Sequence, residues 1–190
     1  MPNDQNSPIM FDFGDGPVPA HRHSNGGGWV ANTARVTGNA WVTGDARVYG
    51  DARVYGNALV YGNARVYGNA RVYGDAWVYG DALVYGNGGV TGDARVYGDA
   101  RVYGNALVTG NARVYGDARV SGIMRSDGFA FVALPCSDKV IRVIAGCRYF
   151  TFEEAWAHWT RTRGGTPLGE ETFAILKFLK TMCDLKGYGG

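Results

Sequence analysis

Three histidines, three cysteines and a lattice of arginine, tyrosine and aspartate are the side chains of this 190-residue sequence that could do chemistry. His21 and His23 form a His-x-His pair that could grip a metal at one edge. A tight zinc site wants further ligands close by, and the pair sits in a Pro/Gly-rich stretch, so it reads as solvent-facing and no metal or other cofactor is expected. His158 is the only other imidazole and the only histidine base available after the repetitive part of the chain. Cys136, Cys147 and Cys183 are odd in number and lack Cys-x-x-Cys spacing, which opposes a disulfide scaffold or a zinc ribbon and suits reduced thiols. The basic residues are lopsided, 15 Arg against 4 Lys. Arginine is the side chain for planar, fixed recognition of phosphate or carboxylate and for stacking on aromatic rings.

Most of those arginines are placed by a repeat. A valine stands at every sixth position from Val30 to Val120, giving 16 hexads of the form Asn/Asp-Ala-x-Val-Tyr/Thr-Gly, as in Asp45-Ala46-Arg47-Val48-Tyr49-Gly50. Glycine does not recur every third position, which excludes collagen. Gly and Val in every hexad, with no 3.6 period, exclude a helical solenoid. A short strand followed by a corner fits every position. Ala and Val, two apart, point to one side, the residue between them points to the other, and Gly-Asn/Asp makes the bend. Three six-residue sides make an 18-residue coil, so residues 28–122 should build about five coils with a Val/Ala interior, about 25 Å long at one strand spacing per coil.

Stacking by 18 sorts the outward residues into three ladders: Trp29, Arg47, Arg65, Leu83, Arg101, Arg119; then Arg35, Arg53, Arg71, Gly89, Leu107; then Trp41, Leu59, Trp77, Arg95, Arg113. Tyrosines, among them Tyr61, Tyr79, Tyr97 and Tyr115, run beside them. Arg and Tyr suit strands, and an Asp two residues ahead of Arg47, Arg53, Arg95, Arg101 and Arg119 balances charge locally. The same columns offer stacking planes and fixed cations. Arg47, Arg65, Arg101, Arg119, Arg95, Arg113, Tyr97 and Tyr115 are the candidate contacts for phosphates, bases or an acidic protein surface. Trp41, Leu59 and Trp77 make an exposed apolar strip of the kind that marks an interface, unless a helix of the same chain containing Trp156 and Trp159 covers it. Thr37, Thr91 and Thr109 share a face, but Tyr55 and Tyr73 interrupt them, which spoils a flat ice-matching array.

These hexads, with the lead-in His23-Ser24-Asn25-Gly26-Gly27-Gly28-Trp29-Val30-Ala31 and the tail Ile144-Ala145-Gly146-Cys147-Arg148-Tyr149-Phe150-Thr151, resemble the hexapeptide-repeat superfamily. The resemblance covers about half the chain and implies a left-handed parallel β-helix. That superfamily holds acyltransferases, γ-class carbonic anhydrases and many uncharacterised bacterial and phage proteins, and the plain Asp-Ala-Arg-Val-Tyr-Gly units look most like the last group. It also implies homotrimers with prism axes side by side. Its acyltransferases carry a histidine near a coil corner, and its carbonic anhydrases three histidines on a metal. Between Trp29 and Ser121 this chain has none. The expectation is therefore a non-catalytic scaffold that oligomerises and binds a protein or nucleotide partner, in a phage setting as an inhibitor of host defence. The alternative is an acyltransferase acting on a small acceptor, with His158 as its base.

Residues 1–27 read as an irregular arm and 123–190 as a small α+β module. In the module, Phe129–Leu134 and Lys139–Ala145 form a hairpin. Thr151 and Glu154 form a capping box ahead of a helix bearing Phe152, Ala155, Trp156 and Trp159. Thr166-Pro167 starts a second helix with Ile175, Phe178, Leu179, Met182 and Leu185 as its core stripe and Gly187 as its stop. Such a ββαα module is too small to be comfortable alone and should dock on the prism. A formal charge of +2 argues for no bulk attraction to nucleic acid. No run approaches a membrane span and no leader opens the chain, so a cytoplasmic protein is expected.

Overall fold

In the computed structural model, which describes residues 8–136, 138, 140–146 and 148–185, the hexads wind into a β-solenoid of three faces. Its first strand is β3 (Trp29–Ala31) and its last β18 (Arg119–Ser121), with most strands between them only two residues long. The strands fall on the three faces in turn, so face one stacks the strands starting at Trp29, Arg47, Arg65, Leu83, Arg101 and Arg119. Stacked neighbours are parallel and one coil apart in sequence, as in Arg47 opposite Arg65 and Val48 opposite Val66. The rungs are backbone hydrogen bonds: Arg47 N–H donates to the Ala64 carbonyl at 2.9 Å and Tyr49 N–H to the Val66 carbonyl at 3.0 Å. Strands this short cannot pair within a coil, so each coil's polar backbone is satisfied by the next.

Alternation then fills the prism. The valines and alanines from Ala40 to Val84 are completely buried, while the residue between each pair faces out. Val36, in the first coil, is only half-buried. There the column ends, and the amino-terminal cover pairs with face one and, through a bridge between Gly27 and Thr43, with face three. That cover is a hairpin where an irregular arm was expected: β1 (Met10–Asp12) pairs with β2 (Pro17–Arg22), and β2 runs antiparallel to β3. Aromatic stacking seats it, with Phe11 on Trp29 at 4.1 Å and Phe13 on Tyr49 at 4.8 Å between ring centres. The hairpin occupies the strand edge that a solenoid end would otherwise leave unpaired.

The other end is closed by the carboxy-terminal module. Its antiparallel sheet runs β19 (Ile123–Met124), β20 (Ala130–Pro135), β21 (Ile141–Ala145) and β22 (Arg148–Phe150), so the expected hairpin gains a short strand on each side. Period-two alternation gives the sheet two apolar faces. Val132, Leu134 and Ile144 join Cys136 in extending the coil core, while Phe131, Val143 and Ala145 pack against α1 (Phe152–Arg163) and α2 (Pro167–Leu185). Main-chain pairing continues onto the last coil through a bridge between Ala112 and Cys136. The capping box forms as expected: the Thr151 hydroxyl accepts from Glu154 N–H at 3.1 Å, and Thr151 N–H donates to the Glu154 carboxylate at 2.8 Å. Cys147, Lys139 and the expected stop at Gly187 lie outside the described residues. Among the described residues no helix is long and apolar enough to cross a membrane.

Two sequence expectations change here. Trp159 is buried in the module's own core beside Phe131, so its helix does not cover the strip on face three. The stripe on α2 is also rotated from the expected one. Thr172, Ile175, Leu176 and Cys183 face inward, whereas Phe178 is 55% exposed and Leu185 76%. Helical spacing alone suits either apolar face, and the sheet beneath selects the one carrying Thr172, because that hydroxyl accepts from Arg125.

Arg125 is the module's buried cation, 3% exposed. It donates to Thr172 Oγ at 2.8 Å and to both Asp127 oxygens, at 2.9 and 2.6 Å, and lies over Phe129 and Phe131. Its hydrogen bond holds the Asp127 carboxyl below the ordinary carboxylate value. A folded value below the unfolded one adds stability above the carboxylate range, and that stability is lost as pH falls through the folded value. The thermal midpoint should therefore fall on acidification below about pH 4, and Asp127→Asn should flatten part of that acid limb in a pH series of melts.

Candidate functional site

Every residue nominated from the sequence stands where the 18-residue offset put it, facing outward. Arg47, Arg65, Arg101 and Arg119 lie on face one, interrupted by Leu83. Arg95 and Arg113 adjoin on face three, beside Tyr97 and Tyr115, whose rings stack at 5.5 Å. The strip Trp41–Leu59–Trp77 is continuous on face three. Trp41 is 50% exposed and Trp77 36%, and Arg95 closes the strip by stacking over Trp77 at 4.7 Å.

The backbone register makes the tyrosines into columns. Tyr49, Tyr67, Tyr85 and Tyr103 stack on face one, capped by Phe13; Tyr55 and Tyr73 on face two, 4.8 Å apart and 2° from parallel; Tyr61, Tyr79, Tyr97 and Tyr115 on face three. Burial between neighbouring rings is the main cause that raises the phenols of Tyr49, Tyr55, Tyr61, Tyr67 and Tyr79 above their ordinary value. They stay neutral near pH 7, so the ladders present hydroxyls and ring planes with no phenolate to repel an anion.

Ion pairs lie outside the repeat. Among the described residues the ion pairs are Arg125–Asp127, Arg142–Asp138 and Lys180–Asp184, all in the carboxy-terminal module. Among the described residues no repeat aspartate forms an ion pair with the arginine two residues on, and some corner side chains are instead bonded along the solenoid axis. Asn57 donates to Asp75 and Asn63 to Asp81, each at 3.0 Å. The arginines are left with unshared guanidinium donors.

The longest uninterrupted arginine run was in the sequence but not among the nominated contacts. Arg35, Arg53 and Arg71 are paired strand to strand on face two. With Thr37 and Tyr55 they line a shallow depression of about 270 Å³. At the leading corners of these strands stand Thr33, Asp51 and Asn69, one carboxylate for three cations. Counting acids per corner column, rather than per hexad, is the signal that finds this face. The corners leading into the six strands of face one carry Asp45, Asp81, Asp99 and Asp117.

The other candidates are held locally. His21 Nδ1 lies 2.9 Å from the Asn32 side chain and His23 Nδ1 3.2 Å from the Asn25 carbonyl. The described residues contain no group of three or more potential metal ligands. His158 packs its ring on Phe150 at 5.1 Å, and desolvation followed by Arg148 and Arg161 pushes its pKa down. Cys136 Sγ is 2.8 Å from Tyr149 Oη, which in turn donates to Asn111, and burial pushes the thiol up. This chain of contacts joins the cap to the last coil, and its thiol is kept from the nucleophilic thiolate form.

The coils match a known repeat. Residues 46–62, 52–66, 64–80, 94–110, 100–113 and 110–122 are similar to the YdcK β-solenoid repeat. The gap in that series spans Gly88-Gly89, which stand where other hexads have Ala and an outward side chain. Leu107 reaches across this gap, with its Cδ1 2.9 Å from where a Cβ on Gly89 would stand. No curated protein and no solved structure matches the chain.

Proposed function

We propose that this protein is a non-catalytic scaffold of the hexapeptide-repeat type that assembles as a homotrimer through face three and holds an anionic partner on its arginine and tyrosine ladders. The observation that carries the reading is the run Arg35, Arg53, Arg71: three exposed guanidiniums in register, with no carboxylate within salt-bridge distance among the described residues. Backbone pairing sets the strands that carry these charges one strand spacing apart, about 4.8 Å. Like charges directly opposite on a sheet destabilise it, and a phosphate or carboxylate bound between them relieves that repulsion while gaining charge-assisted hydrogen bonds. Tyr55 and Tyr73, stacked alongside, add ring surface for a base. The partner class is thus a nucleotide or an acidic protein surface. The hexapeptide-repeat resemblance supplies the setting, a cytoplasmic phage-encoded inhibitor that occupies a host defence protein or sequesters a nucleotide signal.

The test is calorimetric titration with a panel of linear and cyclic nucleotides, and with acetyl-CoA as the acyl-transfer control. Binding of a nucleotide that weakens with added salt, and at least about tenfold in Arg53→Glu/Arg71→Glu, supports the reading. Binding indifferent to that pair rejects face two. Release of free CoA that disappears in His158→Ala replaces the scaffold with an enzyme.

A further inference from the structure

Where the last coil meets α2 there is a cleft of about 240 Å³, separate from the face-two depression. Its floor is the end of the coil column and the cap sheet, through Val114, Val120 and Leu134, and α2 roofs it with Phe178, Leu179 and Met182. Arg113 from face three and Arg119 from face one flank the corner between them and line the same cleft. Neither guanidinium has a carboxylate within salt-bridge distance among the described residues.

We infer that this cleft binds a medium-chain aliphatic monocarboxylate, its chain against the coil end and its head on Arg113 and Arg119. Three observations converge on that chemistry. The inner walls are mostly aliphatic, with the rings of Tyr103, Tyr115 and Phe178 among them, and the volume lies below the range of about 300–1,000 Å³ typical of drug-sized ligands but above the roughly 150 Å³ that holds a benzene ring, which suits a slender chain. The prism beneath is filled completely by its valines and alanines, so a concavity at its end is a local departure from close packing. The face of α2 that borders the cleft is apolar and left uncovered, Phe178 and Met182 included, whereas a helix normally hides such a face or uses it. Two guanidiniums at the rim of an apolar slot select an amphiphile with one anionic end, since a carboxylate accepts from such forks in pairs.

The experiment is isothermal titration of the full chain with hexanoate, heptanoate, octanoate and decanoate, with 1-octanol as the uncharged control. Affinity should rise about fourfold per added methylene until the slot is full, and octanoate should bind at least about tenfold tighter than octanol. Met182→Trp, a change on the exposed helix surface that fills the slot, should abolish the heat. Arg113→Gln/Arg119→Gln should reduce octanoate to the level of octanol. A wild-type chain with a folded melt and no heat for any carboxylate overturns the inference, as does equal affinity for octanol and octanoate. Binding that survives Met182→Trp unchanged also overturns it, since the ligand then sits elsewhere. None of these results depends on whether nucleotides bind face two.

Discussion

Replacing Trp41 and Trp77 together by arginine is expected to lower the particle mass from three times that of the 20.4 kDa chain to that of a single chain, with the coil signature in circular dichroism intact. Trp41 is half open and Trp77 about a third open, so the two indoles offer about 200 Å² for further burial. At about 25 cal/mol per Å² that is a gross gain near 5 kcal/mol per strip, or about 15 kcal/mol when three strips meet. Association costs an estimated 4–15 kcal/mol per event, so the strip alone yields a weak trimer whose mass rises with concentration. The polar continuation through Arg95 and Arg113 adds register rather than depth. Light scattering across a dilution series decides it: a wild-type mass that stays at 20.4 kDa at the highest concentration rejects assembly. A double variant that remains trimeric moves the interface off face three. Because both side chains point outward from two-residue strands, the substitutions leave the Val/Ala core untouched, and loss of fold is not the expected route to a smaller particle.

What the sequence could specify was whatever the repeat makes obligatory. A six-residue period with valine always two after alanine permits one placement of each side chain, so the three ladders, their register and the Trp41–Leu59–Trp77 strip were all readable before any coordinates. The capping box at Thr151 was equally local. The features that were not legible depend on contacts between non-repetitive segments. Phe11 and Phe13 carry no periodicity, and only the exposed rings of Trp29 and Tyr49 give them a surface to stack on, which turns an irregular arm into a hairpin. Helical spacing leaves the inward face of α2 undecided because Ile175 and Leu179 belong to both possible stripes. The tie between Thr172 and Arg125 resolves the choice across 47 residues of sequence. The cleft beside α2 follows from that rotation, so it was invisible for the same reason. The axial bonds between corner side chains were not legible either, because Asn57 and Asn63 find their acceptors one coil away and sequence proximity gives no hint of it.

The corner glycines make a sharper test of how the coils are held. Gly50 and Gly116 sit in equivalent corners with nearly equal dihedrals, φ +66° and +63°. A side chain at either position bears the left-handed penalty of about 1–2 kcal/mol. Their surroundings differ completely. A Cβ on Gly50 would lie 2.9 Å from the backbone nitrogen of Gly68 in the next coil, whereas a Cβ on Gly116, at the end of the stack, meets nothing within 4 Å. Backbone cannot rotate out of the way as a side chain can, so Gly50→Ala must open the spacing between two coils and stretch rungs such as Tyr49 N–H to Val66. Gly116→Ala should cost about 1–2 kcal/mol and Gly50→Ala about 3 kcal/mol or more. For a chain of this size those values correspond to midpoint drops of about 2–8 °C and about 6–12 °C. Asparagine separates the two causes, since it tolerates the left-handed conformation far better than alanine does. Gly116→Asn should be close to neutral, whereas Gly50→Asn should still be clearly destabilising, keeping the part of the Gly50→Ala cost that comes from a Cβ pressed against Gly68. Equal midpoints for the two asparagine variants would mean that the coils have slack at their corners and that dihedral preference alone places glycine there. A large difference means that glycine is required because the next coil's backbone already fills the space where a Cβ would be.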